Sequence, residues 1–223
     1  MIKRLLSYIL PIKIYEKPSK ISKTLEVSWN NGKLVLDSKN TNYSYGSLQK
    51  VLRKGLIAIG FDKIKSMQEI LVLGVAGGSV IRTLVDEFKF EGNITGIEID
   101  ESSIEIANQY FGLNQIKNYK TIISDANEFV RKSEKLYDLI IIDIFEDTTM
   151  PLFLFKKEFV EACKQLLQKN GFILFNTMIL NEKQIDRNNV FIRLFDNEKY
   201  YCKTFSNVEY YNQLIIIEKI ITQ

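Results

Sequence analysis

The chain has 223 residues, 46% of them hydrophobic and 26% charged, with 11 Gly and 3 Pro. That composition excludes collagen-like, low-complexity and disordered classes, and sets one large domain with at most a small appendage as the expectation. The net charge is only +3, from 30 Lys plus Arg against 27 Asp plus Glu, and there is no His. A balance this even does not indicate a nucleic-acid partner, and the missing His removes every Ser-His, Cys-His and His-metal mechanism, leaving proton transfer to carboxylates, Tyr, Lys or water.

At the N-terminus, Met1 to Pro11 is apolar over too short a stretch for a signal peptide, and Lys13, Glu16 and Lys17 follow at once. A helix packed on the domain or on a second subunit is expected there. No apolar run approaches the ~18 residues of a membrane span, so the chain reads as cytoplasmic, with no membrane partner. Cys163 and Cys202 are too few for a disulfide scaffold and too far apart for a metal or redox pair, and read as buried small hydrophobes.

Thr24 to Trp29 and Lys33 to Asp37 alternate apolar and polar side chains about Asn30-Asn31-Gly32, a hairpin signal. Residues 1–45 are therefore read as a segment carrying a small β-hairpin appendage, and 46–223 as the main domain. From Gly46 to Phe61, Leu48, Val51, Leu52, Leu56 and Ile59 recur at helical spacing. Then come short apolar runs, Glu69 to Leu73, Asn93 to Ile97, Lys120 to Ile123, Asp138 to Ile142 and Gly171 to Phe175, separated by helical stretches at Val80 to Phe88, Ser102 to Tyr110, Ala126 to Lys132 and Leu154 to Leu167. Runs apolar at nearly every position suit strands buried on both faces, and the βαβ alternation predicts a doubly wound, mainly parallel α/β sheet. Past Asn181 the pattern gives one more helix and an antiparallel pair, Tyr200 to Phe205 and Gln213 to Glu218, joined through Ser206-Asn207.

Candidate site residues cluster at the strand ends. Gly74, Val75, Ala76, Gly77, Gly78 and Ser79 join the first buried strand to a helix, so that a ligand can approach the backbone and meet the free N–H groups of the helix start. Their spacing does not fit the dinucleotide pattern G-x-G-x-x-G. Glu98, at the end of the second strand, is placed to accept both ribose hydroxyls of a nucleoside, and Asp125, before Ala126, suits an adenine amino group, since a carboxylate only accepts. Helix N-capping is the competing reading of Asp125 and of Asp143. Asp143 opens an acidic stretch that continues through Ile144, Phe145, Glu146 and Asp147 at the mouth of the same crevice.

The runs Val72 to Arg82, Gly96 to Asp100, Ser124 to Phe129, Tyr137 to Asp143 and Leu154 to Phe159 resemble the spermidine synthase (polyamine aminopropyltransferase) branch of the class I S-adenosylmethionine-dependent methyltransferase fold. The similarity extends from about Thr24 to Met178, and Tyr43-Ser44-Tyr45 falls where that family has an aromatic patch lining the amine site. The resemblance implies a Rossmann-like fold, cofactor contacts at Gly74, Gly77, Gly78, Glu98, Asp125 and Ala126, catalytic roles for Asp143, Tyr45 and Glu146, a small amine acceptor, no metal, and a homodimer.

This sequence also departs from the family pattern. The family loop reads G-G-G-D-G-G and its Asp is Gly77 here; a Tyr-His-Glu stretch is Tyr45-Gly46-Ser47; and D-[ST]-[ST]-D-P is Asp143-Ile144-Phe145-Glu146-Asp147. An Asp at 77 would repel the methionine carboxylate of intact S-adenosylmethionine, so Gly77 reads as a switch to the intact cofactor. The leading expectation is methyl transfer from S-adenosylmethionine to a small amine or similar nucleophile. The alternatives are aminopropyl transfer from decarboxylated S-adenosylmethionine, and a non-catalytic nucleoside-binding homologue.

Overall fold

The structure, a computed structural model, describes residues 2–38, 42–146 and 149–220, and of 42, 43, 47 and 48 the backbone only. It contains two sheets. The first is antiparallel, in the order β1 (Ile12–Ser19), β2 (Lys23–Asn30), β3 (Lys33–Ser38) and β4 (Asn42–Ser44). The predicted hairpin is its β2–β3 pair, with Asn30 opposite Lys33, so the appendage is larger than expected. Its own small core of Leu25, Val27 and Leu36 closes on Ile106 of α5 (Glu101–Phe111). Ser19 Oγ adds a hydrogen bond to Asp100, the N-cap of that helix, at 2.6 Å. No residue of the helix α1 (Ile2–Leu6) is buried, but the helix rests on the small sheet through Arg4, whose Nε donates to Gly32 O at 3.0 Å. Just beyond it Ser7 Oγ accepts the Gly32 N–H at 3.0 Å.

The second sheet has the order β10-β11-β9-β8-β5-β6-β7. Its parallel part places β5 (Glu69–Leu73) centrally, between β8 (Tyr137–Ile142) and β6 (Asn93–Glu98), with β7 (Tyr119–Ile123) beyond β6 and β9 (Leu167–Met178) beyond β8. Side chains of β5 alternate between two cores. Ile70 and Val72 join the layer of α2 (Ser47–Ile59), which buries Val51, Leu52, Leu56 and Ile59; the Leu48 side chain lies outside the described residues. Leu71 and Leu73 join the layer of α6 (Ala126–Lys132), α7 (Lys157–Gln165) and α8 (Glu182–Arg193). Burial on both faces explains the uninterrupted apolar runs read from the sequence.

Two boundaries move. The segment read as one helix to Leu167 is a short 3-10 turn, Leu152–Phe155, followed by α7, and Leu167 already opens β9. The strand β10 (Tyr200–Val208) runs past Ser206-Asn207 and turns at residues 209–211 into β11 (Asn212–Lys219), which lies antiparallel to both β10 and β9. The chain therefore reverses its direction of winding between β5 and β8, the place where open α/β sheets bind ligands. Among the described residues no helix is long and apolar enough to cross a membrane.

Candidate functional site

Gly74, directly after β5, has φ +87, and a side chain there would collide with the carbonyl of Asp143. The collision follows from the ladder itself: Asp143 N–H donates to Leu73 O at 2.8 Å, so the two strand ends run side by side. From Gly74 the chain passes through Ala76 (φ 46) to Gly78 (φ 79), which starts α4 (Ser79–Arg82), continued as a π-helical stretch, Thr83–Glu87. Gly77 is buried and its φ is ordinary, yet it has no room for a side chain. A Cβ would sit 2.9 Å from Ser44 Cβ, 3.0 Å from Ser44 Oγ and 3.2 Å from Tyr45 Cε2. The end of β4 thus lies over the glycine loop, and the Tyr45 ring is stacked on Phe111, with centroids 4.5 Å apart and planes at 15°. Burial pushes the Tyr45 hydroxyl well above its ordinary pKa, so it remains protonated.

Glu98 is only 8% exposed. Its Oε2 accepts the N–H groups of Val75 (3.0 Å) and Ala76 (2.9 Å), and its Oε1 those of Ile99 and Asp100 (2.9 Å each). A carboxylate has about four acceptor positions, and here the backbone takes them all. Burial pushes the Glu98 carboxyl up, while these N–H bonds pull it down. Asp125 caps α6 by accepting the Glu128 N–H at 2.9 Å, and Ala126 behind it is 8% exposed and part of the core. Asn127 Oδ1 is buried with no hydrogen-bond partner among the described residues.

Asp143 is a partly exposed residue whose carboxyl accepts the Asn176 Nδ2 at 2.8 Å. Burial lifts that carboxyl from 3.8 to about 6; the Asn176 bond lowers it and the charge of Glu98 raises it. Asp143 does not cap a helix, since the chain continues as a loop in which Glu146 N–H donates to Thr149 O. Glu146 itself is exposed at the rim. Asp147 and the Tyr43 side chain lie outside the described residues.

The structure therefore joins Gly74, Glu98 and Asp143 around the end of β5, and Gly77 with Tyr45 one step along the loop. Asp125 and Ala126 follow β7, whose last turn is tied to β6 by Ser124 N–H donating to Glu98 O at 2.9 Å. Asn176 and Asn212, which support Asp143, were not singled out from the sequence. The cation on the glycine loop's helix, Arg82, is turned away to the carbonyls of Phe111 (3.0 Å) and Gly112 (2.7 Å).

Residues 32–219 match the family model described as the spermine/spermidine synthase domain. A polyamine aminopropyltransferase of Vibrio vulnificus is 31% identical over 113 residues, 49% of this chain and 38% of that protein. A probable polyamine aminopropyl transferase of Bifidobacterium longum is 25% identical over 153 residues, 65% of this chain and 34% of its own length. The chain thus spans well under half the length of these curated relatives. Among solved structures, spermidine synthase from Thermotoga maritima superposes with a TM-score of 0.71 at 19% identity, covering 94% of this chain and 74% of that one. Human methyltransferase-like protein 13 in complex with SAH superposes with a TM-score of 0.63 at 21% identity, covering 80% and 84%. At these identities the two superpositions show the shared Rossmann-like fold.

Proposed function

The chain belongs to the spermine/spermidine synthase domain family, and from that premise we propose that its crevice carries out aminopropyl transfer from decarboxylated S-adenosylmethionine to a small amine. This replaces methyl transfer, the reading that the sequence alone favoured. That reading rested in part on Gly77, and Gly77 has a packing reason to be glycine, since Ser44 and Tyr45 fill the space a side chain would need. The relatives at the sequence level are polyamine aminopropyltransferases.

The observation that carries the proposal is the sign of the charge at the strand ends. Glu98, Asp125 and Asp143 are acceptor-only groups, and the nearby Arg82 is spent on backbone carbonyls. This environment suits a ligand with two positive charges, a sulfonium and an ammonium, and opposes one that adds a carboxylate. When bound, decarboxylated S-adenosylmethionine supplies a carbon activated for displacement, whose bond to sulfur breaks with the electron pair leaving on methylthioadenosine.

The residues of the chain then take definite roles. Asp143 holds the acceptor amine and removes one proton from its ammonium, freeing the lone pair that forms the new C–N bond. A carboxyl at about 6 is mostly ionised at neutral pH and still basic enough for that task. Glu98 takes the ribose hydroxyls by exchanging some of its loop N–H bonds for them. Asp125, with one oxygen free of the helix cap, takes the adenine amino group, and the orphan acceptor of Asn127 fits the same end of the nucleoside. Gly74, Gly77, Gly78 and Ala126 form the floor, Tyr45 walls the acceptor, and Glu146 at the rim meets the far ammonium of a diamine.

The test is product analysis by mass spectrometry with each donor and a panel of mono- and diamines. Methylthioadenosine together with an aminopropylated amine is expected from the decarboxylated donor. Demethylated product from intact S-adenosylmethionine would overturn the assignment in favour of methyl transfer, and nucleoside binding without product from either donor would overturn the enzymatic reading.

A further inference from the structure

The amide of Asn176 is 1% exposed and bonded at both ends. Its Nδ2 donates to Asp143 Oδ1 at 2.8 Å, and its Oδ1 accepts from Asn212 Nδ2 at 2.9 Å. The three residues stand on adjacent strand ends, after β8, on β9 and at the start of β11, where Asn212 pairs with Met178. The two ends of an amide have nearly the same size and shape, so sterics alone do not decide which of them faces a neighbour. Turned over, the Asn176 oxygen would face the carboxylate of Asp143, and the amide nitrogens of residues 176 and 212 would oppose each other. The carboxylate of Asp143, as an acceptor, and the donor on Asn212 together distinguish the two orientations.

We infer that Asn212 is a positioning residue, which fixes the Asn176 amide so that an N–H and not a carbonyl faces the carboxylate of Asp143. The inference rests on the proposed function only in giving Asp143 a task; the geometry stands without it. The ionisable group that faces Asp143 from a neighbouring element is Glu98 at the end of β6. Gly74 after β5, Asn176 on β9 and Asn212 on β11 bring no charge, and Glu146 of Asp143's own loop is exposed. The state of the Asn176 amide is therefore the adjustable influence on this carboxyl. An N–H held against it favours the ionised form, and a carbonyl turned toward it favours the protonated one. Leu174 and Phe175 beside Asn176, and Leu214 beside Asn212, are fully buried.

The experiment reads the carboxyl directly. The full chain, labelled with 13C at aspartate carboxyls, is titrated by NMR between pH 4 and 8, with Asp143→Asn assigning the resonance. Asn212→Leu is expected to raise the Asp143 midpoint by about half to one pH unit, and Asn212→Asp, which puts an acceptor where a donor stood, by about one unit or more. Asn212→Ser, which keeps a small donor, stays close to the wild type and serves as the check if the Leu variant folds poorly. Both larger shifts are then repeated on an Asn176→Leu background. If Asn212 acts through the amide, the Leu shift vanishes there. An Asn212→Leu midpoint that does not move, or that moves equally with Leu at 176, overturns the inference. Under the proposed function, Asn212→Leu also raises KM for the amine at pH 6.5 with recovery by pH 8, while methylthioadenosine affinity is unchanged. A chain without transfer activity would fail that kinetic arm and leave the titration to decide.

Discussion

Glu98→Gln changes one atom in a position where the backbone has already chosen the chemistry. The carboxylate accepts four N–H groups at 2.9 to 3.0 Å, two from the glycine loop and two from the start of α5. Gln keeps one oxygen and replaces the other with an NH2 group, so two buried N–H donors would face a third donor. Each buried donor left unsatisfied costs about 1 to 3 kcal/mol. Relief from burying a charge offsets part of that loss, since burial pushes the Glu98 carboxyl up. A net destabilisation of about 2 to 4 kcal/mol follows, a large share of the roughly 5 to 15 kcal/mol of a typical domain. Urea unfolding at pH 7 measures it: with a slope near 2 to 3 kcal/mol/M the midpoint should fall by about 1 M. Glu98→Ala should cost a similar amount, because the space it opens admits water to some of the donors. Stability within about 0.5 kcal/mol of the wild type for both variants would refute the idea that this carboxylate holds the loop. A ribose ligand alone would show a different pattern, with weaker methylthioadenosine binding and an unchanged urea midpoint.

The Asp143 carboxyl, lifted from 3.8 to about 6, prefers its proton in the folded state, so its contribution to stability is present below about pH 4 and lost as pH rises to about 6. Asp143→Asn mimics the protonated form and should be more stable than the wild type by about 1 to 3 kcal/mol at pH 7.5 and equal to it below pH 4, while losing transfer activity; equal stability at both pH values in urea unfolding would contradict the shift. Gly77→Ala should cost about 1 to 3 kcal/mol by overpacking against Ser44 and Tyr45, and Ser44→Gly should restore part of it; a Gly77→Ala protein as stable as the wild type by thermal melting would remove the steric reason for the glycine. Tyr45→Phe keeps the stacking on Phe111 and removes a hydroxyl that stays protonated, so turnover should remain within about tenfold; a loss beyond a thousandfold in single-turnover assays would show that the hydroxyl takes part in the chemistry.

The parallel strands were legible because each carries apolar side chains to two cores at once, as Ile70 and Val72 do on one side and Leu71 and Leu73 on the other. The edge of the small sheet was not. The strand β1 reads Ile-Lys-Ile-Tyr-Glu-Lys-Pro-Ser, half charged or polar and with a Pro, a composition tolerated only where one side of a strand faces solvent. The end of α7 was misplaced because Leu166 and Leu167 continue its apolar spacing, although Leu167 is already paired with Tyr137 in the sheet.

The acids of the candidate site were placed from the sequence for a geometric reason: in a parallel sheet every strand delivers its last residue to the same edge, so Glu98, Asp125 and Asp143 can be collected there by position alone. What supports them is non-local. Asn176 stands near the end of β9 and Asn212 at the start of β11, where a polar residue looks like a simple strand boundary, and nothing near either in the chain reveals that, 36 positions apart, they are joined amide to amide. Gly77 shows the same limit in reverse. Its sequence neighbours present it as a missing charge, and only the fold brings Ser44 and Tyr45 to within 2.9 to 3.2 Å of where its side chain would be. A residue absent from a family pattern can thus report a contact made elsewhere as readily as a changed ligand. At position 77 the contact is visible, so the missing aspartate does not by itself argue for a different cofactor.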